Sequence, residues 1–363
     1  MAVLNITPDS FSDGGQYDAG DLIAIEAKIK QVIANGATII DVGGQSTRPS
    51  ATKISWQEEL GRIRPVIECI RSIPEAQKIA VSVDTFYAEV ARGAVAAGAD
   101  IINDVSGGLL DPQMLPLIAE LQVTIVLMHM RGTPEDMNDL TDYPEGVVIG
   151  VAKELLERLK AAEEAGIPRW RIVLDPGIGF AKTQAQNLEL LRNLEALRSY
   201  PGLRNYPWLV GTSRKGFIGK ITGVSTAAER GWGTAATVTT SIAGGADIVR
   251  VHDVPEMAQV AKMADAMYRV EPKSKKTSST ASGLSRPPST ITDNESERGR
   301  SKGLKLSRRF YEAIVRSRSE VGLTTASLQN PAKGYSHQSV KFVPELKARA
   351  RTGHNFAFSR SRI

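Results

Sequence analysis

Residues 22–44, LIAIEAKIKQVIANGATIIDVGG, hold one complete unit of the fold. From Leu22 to Ala34 apolar residues return at three-and-four spacing, the pattern of an amphipathic helix. Asn35-Gly36-Ala37 follows, where glycine closes a helix in left-handed geometry at no steric cost. Thr38 to Val42 is then a β-rich apolar run whose far end carries Asp41, Gly43 and Gly44. Helix, glycine stop, buried strand and polar end make one αβ repeat.

The device recurs at Ala97-Gly98-Ala99 and Gly244-Gly245-Ala246. Working outward from it, the strand candidates are Ala2 to Asn5, Thr38 to Val42, Ile79 to Val83, Asp100 to Asn103, Val123 to Met128, Ile172 to Asp175, Trp208 to Gly211 and Asp247 to Val251. Most are continuous apolar runs, as parallel strands buried on both faces require. Amphipathic stretches lie between them, among them Gln57 to Ile70, Gly146 to Ala165, Thr226 to Ala243 and Pro255 to Met267. Eight units in about 250 to 270 residues match an α/β fold of the (β/α)8 TIM-barrel type, and an open doubly wound sheet gives a similar pattern.

Of 363 residues, 42% are hydrophobic, enough for a sizeable core. The single cysteine, Cys69, cannot form an intramolecular disulfide, so the fold does not depend on an oxidising compartment. No run of eighteen apolar residues and no presequence is found, so neither a membrane span nor a targeting peptide is expected. After Pro272 there are 19 basic and 6 acidic residues, against 26 and 34 before it, so the body carries about −8 and the tail about +13. Residues 1–270 are expected to form the barrel domain, and residues 271–363, rich in Ser, Lys and Arg, a disordered tail. The tail has no zinc spacing and no stacking platform, so disorder is favoured over nucleic-acid binding.

A barrel places its chemistry at the C-terminal ends of the strands. Here those ends carry Asn5, Asp41, Asp84, Asn103, His129, Asp175, Ser213 with Lys215, and Arg250 with His252. One polar residue after a strand is usually a turn former or a helix cap. Eight in one structural position point instead to a site. Carboxylates and carboxamides suit a flat nitrogen heterocycle, for which Asp84, Asn103 and Asp175 are best placed. Arg48, Lys215, Arg250 and His252 could bind an oligophosphate. Asp41 and Asp104 read equally well as barrel braces, His129 better as a packed residue than a ligand, and Trp170, Trp208 and Trp232 as packing residues.

The opening Leu4-Asn-Ile-Thr-Pro-Asp-Ser-Phe-Ser-Asp-Gly-Gly15 and then Asp41-Val-Gly-Gly-Gln-Ser-Thr-Arg-Pro49 resemble the two signatures of dihydropteroate synthases. Ser82-Val-Asp-Thr85, Ile102-Asn-Asp104, Leu127-Met-His-Met130, Asp175-Pro-Gly-Ile-Gly-Phe180, Gly211-Thr-Ser-Arg-Lys215 and Arg250-Val-His-Asp253 follow in the family's order. The resemblance is to the synthase domain of fungal trifunctional folate-biosynthesis proteins. It implies condensation of 6-hydroxymethyl-7,8-dihydropterin pyrophosphate with 4-aminobenzoate by a transferase of the pterinylmethyl group.

Position by position, the resemblance makes Asp84, Asn103, Asp175, Lys215 and Met128 the pterin-binding set, and Arg48, Arg250 and His252 the pyrophosphate-binding set. Thr47, Pro49, Phe180, Ser213, Lys215 and Gly216 would surround 4-aminobenzoate. Asn5 would bind Mg²⁺ together with the substrate pyrophosphate. Arg48, Lys215 and Asp13 are the catalytic candidates, with Asp13 and Arg48 on the two loops that close over the reactants. The resemblance further implies small-molecule substrates, a homodimer, no membrane or nucleic-acid partner, and a cytoplasmic protein, or a mitochondrial one if an upstream segment directs it there. The alternatives are an inactive pterin-binding remnant and a methyltetrahydrofolate-type methyltransferase barrel.

Overall fold

The structure, a computed structural model, describes residues 1–7, 22–46 and 53–269. Strands and helices alternate along them: β1 (Ala2–Asn5), α1 (Leu22–Ala34), β2 (Ile39–Gly43), α2 (Trp56–Ser72), β3 (Ala80–Asp84), α3 (Ala88–Ala97), β4 (Ile101–Asp104), α4 (Met114–Leu121) and β5 (Thr124–Met128). There follow α5 (Val147–Glu164), β6 (Ile172–Asp175), α6 (Gln184–Arg192), α7 (Leu194–Arg198), β7 (Leu209–Val210), α8 (Gly216–Thr222), α9 (Gly231–Ala243), β8 (Ile248–Val249) and α10 (Val254–Tyr268).

Strands β1 to β6 pair in sequence order and in parallel, and β7 pairs with β8. Parallel bridges Leu174–Trp208 and Ala2–Val251 join the two sheets at both seams. The Val3 N–H donates to the Val251 carbonyl at 2.9 Å, and the Val251 N–H to the Met1 carbonyl at 3.0 Å. The sheet therefore closes into a (β/α)8 barrel, and the open doubly wound alternative falls.

Glycine ends three of the helical units as the sequence suggested. Gly36, Gly98 and Gly245 have φ of +98°, +116° and +93°. After each, the next N–H reaches back to a carbonyl of the last turn: Ala37 to Val32 at 3.0 Å, Ala99 to Ala94 at 2.9 Å, Ala246 to Ser241 at 2.9 Å. In two of these units an aspartate follows. Asp100 Oδ2 accepts from the Val81 N–H and Asp247 Oδ2 from the Trp208 N–H, both at 2.9 Å, which ties the bottom of each strand to its neighbour.

The period of two along a strand then determines what the barrel contains. Ile39, Ala80, Ile101, Val126, Val173, Leu209 and Ile248 form one apolar plug inside the barrel, with Met1 against it. Two residues further along the same strands stand Asp41, Ser82, Asn103, Met128, Asp175, Gly211 and Arg250. The lumen is thus apolar at its base and polar one layer up, toward the strand C-termini. The alternate residues, such as Ile40, Val42, Val81, Ile102, Leu127 and Leu174, face outward into the main core with the helices.

One sequence reading is corrected. Of the three tryptophans taken as packing residues only Trp208 is buried; Trp170 is 74% exposed and Trp232 91%. Trp170 lies in a three-residue turn, Arg169–Arg171, and Trp232 is the second residue of α9, so both stand at the end of an element and not on a face packed against the sheet. The expectations for residues 271–363 lie outside the described residues.

Candidate active site

The polar layer of the lumen is organised around one guanidinium. Arg250 Nε donates to Asp41 Oδ2 at 2.6 Å and Nη2 to Asp84 Oδ2 at 2.8 Å, while Asn103 Nδ2 donates to Asp41 Oδ2 at 3.1 Å. All four are strand-end residues that point inward because each lies two positions beyond, or in step with, the apolar plug. Burial pushes the Asp84 carboxyl up to about 7, against the pull of Arg250 and with the help of Asp41. One cation shared by two buried carboxylates cannot hold both in the ordinary range. Among the described residues Asp41 Oδ1, Ser82 Oγ and Asp84 Oδ1 are buried with no hydrogen-bond partner.

Across the lumen stands a second acid–base pair. Burial raises Asp175, and Lys215 opposes that shift; burial lowers Lys215 to about 8, and Asp175 opposes it. Asp175 Oδ1 accepts from the Gly177 N–H at 2.7 Å. The Lys215 ammonium donates to the Ile178 carbonyl and lies 4.7 Å from the centroid of the Phe180 ring. The loop after β6 therefore supplies both a carboxylate below and an aromatic face beside the same lysine. Met128 is buried in an apolar cluster with Phe86, Val105, Met130, Met137 and Ala181, and Phe180 packs on it. That cluster forms a wall above the polar layer.

Ser213 and His252 form the rim of the third side. Ser213 Oγ lies 3.0 Å from His252 Nδ1 and accepts from the His252 N–H at 3.2 Å. Arg214 between Ser213 and Lys215 has a φ of +60°, unusual for a residue with a side chain. Its guanidinium is held by Asp253 at 2.5 and 3.2 Å and its N–H by Thr234 Oγ1 at 3.1 Å, which over-determine the turn that presents its two neighbours. Lys215 precedes α8 as its cap residue, and Gly216 opens that helix with free space where a side chain would stand.

Set against the sequence reading, the structure brings Asp84, Asn103, Asp175, Lys215, Met128, Phe180 and Arg250 around one lumen, with Asn5, Ser213, His252 and Gly216 at strand and loop ends above it. Arg250, expected in the pyrophosphate set, is bonded to Asp41 and Asp84, and its Nη1 makes no hydrogen bond to a described residue. Asp13, Thr47, Arg48 and Pro49 lie outside the described residues. Asp41, left open between brace and site, belongs to the site network. Alternation with Ile39 on the same strand was the available signal. Asp104 is a brace: its carboxylate takes the Ser106 N–H and hydroxyl and the Gly108 N–H at 2.7–2.8 Å. Lys182, buried behind the β6 loop, was not singled out in the sequence at all.

Comparison with known proteins agrees with this geometry. The model of the pterin binding enzyme family matches residues 1–252. The folic acid synthesis protein fol1 of Schizosaccharomyces pombe is 49% identical over 270 residues, 74% of this chain and 36% of that protein. The dihydropteroate synthase of Synechocystis is 48% identical over 270 residues, 74% of this chain and 90% of that one. The chain thus spans about a third of the fungal relative but nearly all of the cyanobacterial one. Among solved structures, the Xanthomonas albilineans dihydropteroate synthase with 4-aminobenzoic acid has a TM-score of 0.66 at 41% identity, covering 75% of this chain and 93% of that one. The Clostridium difficile enzyme in the presence of pteroic acid also has a TM-score of 0.66, at 39% identity, covering 74% and 96%. This chain belongs to the pterin-binding enzyme family, among the dihydropteroate synthases.

Proposed function

We infer that the chain condenses 6-hydroxymethyl-7,8-dihydropterin pyrophosphate with 4-aminobenzoate, giving 7,8-dihydropteroate and pyrophosphate. The observation that carries the reading is the set of buried lumen acceptors, Asp41 Oδ1, Ser82 Oγ and Asp84 Oδ1, without donors among the described residues. A buried acceptor left unpaired costs about 1–3 kcal/mol, so such a cluster favours a ligand rich in N–H donors. A pterin ring, with its amino group and ring N–H groups on one edge, is such a ligand. Asp84, Asn103 and Asp175 would take that edge, and Lys215 with Phe180 and Met128 would hold the ring.

The reaction then needs little acid–base help. The methylene C–O bond breaks with its electron pair leaving on pyrophosphate, and the electron-rich dihydropterin delocalises the positive charge left on carbon. The amine nitrogen of 4-aminobenzoate forms the new C–N bond and sheds one proton. Positive groups at the rim stabilise the departing charge. His252 would hydrogen-bond the leaving group from above the lumen, and Arg48 is assigned to it by the family resemblance. The Gly216 N–H at the start of α8 and Ser213 would receive the 4-aminobenzoate carboxylate.

Mg²⁺ is part of the proposal, with Asn5 as its protein ligand. Asn5 ends β1, and its Oδ1 lies 3.2 Å from where a Cβ on Gly43 would stand, so glycine at 43 leaves the carboxamide oxygen clear. A single protein oxygen fits an ion that keeps waters and substrate phosphates as its other ligands. When bound, it would neutralise charge on the leaving pyrophosphate. We further propose a homodimer, favoured by apolar surface exposed at Ile221, Trp232, Met263 and Tyr268 on α8 to α10. The barrel is proposed to end near residue 270. No helix among the described residues is long and apolar enough to cross a membrane, and a cytoplasmic or mitochondrial site is part of the same reading.

Lys215→Ala tests the site. It removes the ammonium facing both Asp175 and Phe180, and kcat/KM is expected to fall by roughly 10²-fold, the scale of losing one preorganised donor. Steady-state kinetics beside a melting curve would check it; parent-like kcat/KM would refute the role.

A further inference from the structure

Behind the loop that carries Asp175 and Phe180 lies a charged chain that the reaction does not use. Lys182 is buried, and its ammonium is 2.9 Å from His129 Nδ1, 3.0 Å from the Gly177 carbonyl and 2.9 Å from the Phe180 carbonyl. His129 Nε2 is 2.9 Å from Glu154 Oε2 on α5. Arg131 fixes Glu154 in turn through Nε at 3.0 and 3.1 Å and Nη2 at 2.5 Å. Arg131 also stacks 3.8 Å over the Tyr143 ring, whose hydroxyl donates to the Ala181 carbonyl at 3.1 Å.

The donor and acceptor roles have one consistent solution. An ammonium only donates, so His129 Nδ1 accepts, its proton stands on Nε2, and Nε2–H donates to Glu154. Ionisation follows the same pattern. Burial and Lys182 hold His129 down at about 4, which keeps its ring neutral. Burial disfavours charge on Glu154, but His129 and Arg131 overcome it and hold the carboxyl at about 2. Burial lowers Lys182 to about 7, with Asp175 and Glu154 pulling up and Lys215 and Arg131 pulling down.

Burying an ammonium is costly unless it is fully hydrogen-bonded, and an apolar residue would pack the same space without that cost. Two of the three acceptors here belong to a single turn, Gly177 to Phe180. That turn presents the Asp175 carboxylate, the Ile178 carbonyl that takes Lys215, and the Phe180 ring. We propose that Lys182, seated on His129 and Glu154, is a positioning residue that sets this turn, and through it both substrate subsites, in working geometry. The proposal rests on the dihydropteroate synthase reading for the identity of those substrates.

Lys182→Met keeps the aliphatic stem and removes the donors. Its KM values for the dihydropterin pyrophosphate and for 4-aminobenzoate are expected to rise at least tenfold each, with kcat changed less than threefold. Glu154→Gln, on the part-exposed end of the chain, is expected to shift both KM values the same way by a smaller factor. Amide hydrogen exchange over residues 176–181 should be at least tenfold faster in Lys182→Met than in the parent. Parent-like KM values in either folded variant, a loss confined to kcat, or parent-like exchange in the turn would overturn the proposal. If the parent itself shows no synthase turnover, the functional reading fails, and the exchange measurement still decides the brace.

Discussion

Arg250→Ala is expected to lower stability by about 3–5 kcal/mol and to remove measurable turnover. Its guanidinium is shared between Asp41 at 2.6 Å and Asp84 at 2.8 Å, and both carboxylates are buried. Removing it leaves Asp41 and Asp84 buried without their shared cation, so that ionising both would set two like charges against each other in a low-dielectric lumen. For a domain of this size the change corresponds to a melting temperature lower by roughly 10 °C. The deficit has a pH signature. Asp84 already sits at about 7 in the fold against 3.8 for a free aspartate, and without Arg250 it rises further. A raised folded value means that stability is intact below the unfolded value and is lost as pH climbs through the folded one. From pH 4 to about pH 6 Asp84 carries its proton in both folds, so the gap should stay constant there, and it should widen from about pH 7 toward pH 8, where the parent's Asp84 ionises and the variant's does not. Melting curves of both proteins across that range would show it, and a gap that does not depend on pH would contradict the shared-cation account.

Gly177→Ala should be as damaging for a different reason. Gly177 has φ +65°, and a Cβ there would meet the His129 carbonyl oxygen at 1.9 Å and its carbon at 3.0 Å. Both obstacles are backbone, so no flexible side chain can move aside. The strain adds to the penalty of left-handed geometry for alanine, about 1–2 kcal/mol, and the expected total is roughly 3–4 kcal/mol. Because the turn carries Asp175 and Phe180, protein that still folds should lose about 10²-fold in kcat/KM. Gly61→Ala on α2 is the control: a Cβ there meets nothing within 4 Å, and a gain of about 1 kcal/mol is expected. Equal stability of the two variants would mean that the turn is not built as described.

The same features explain what could be read from sequence. Helix α1 was legible to both ends because its apolar period and the Gly36 stop are local. Strand β2 was legible to within a residue for the same reason. Closure of the barrel was expected from the count of eight units and from the family resemblance, not from a local signal, since it depends on bridges between Ala2 and Val251 and between Leu174 and Trp208, whose partners no local pattern names. In the site, Asp84, Asn103 and Asp175 could be grouped because each stands at the C-terminal end of a strand, where a barrel carries its chemistry. That Arg250 would bind Asp41, 209 positions away, could not be read from either residue's neighbours. Lys182 was invisible for a related reason: its Phe-Ala-Lys-Thr setting looks like an ordinary helix start, and its meaning lies in His129, 53 positions earlier. The exposure of Trp170 and Trp232 likewise depends on which way the end of an element faces.

The central claim is that this barrel joins a dihydropterin pyrophosphate to 4-aminobenzoate. The direct measurement is pyrophosphate released by purified, folded protein from the dihydropterin pyrophosphate in the presence of Mg²⁺, with and without 4-aminobenzoate, alongside detection of 7,8-dihydropteroate. Release that requires 4-aminobenzoate and matches dihydropteroate one for one is the expected result. No release, or release that ignores the amine, would contradict the claim.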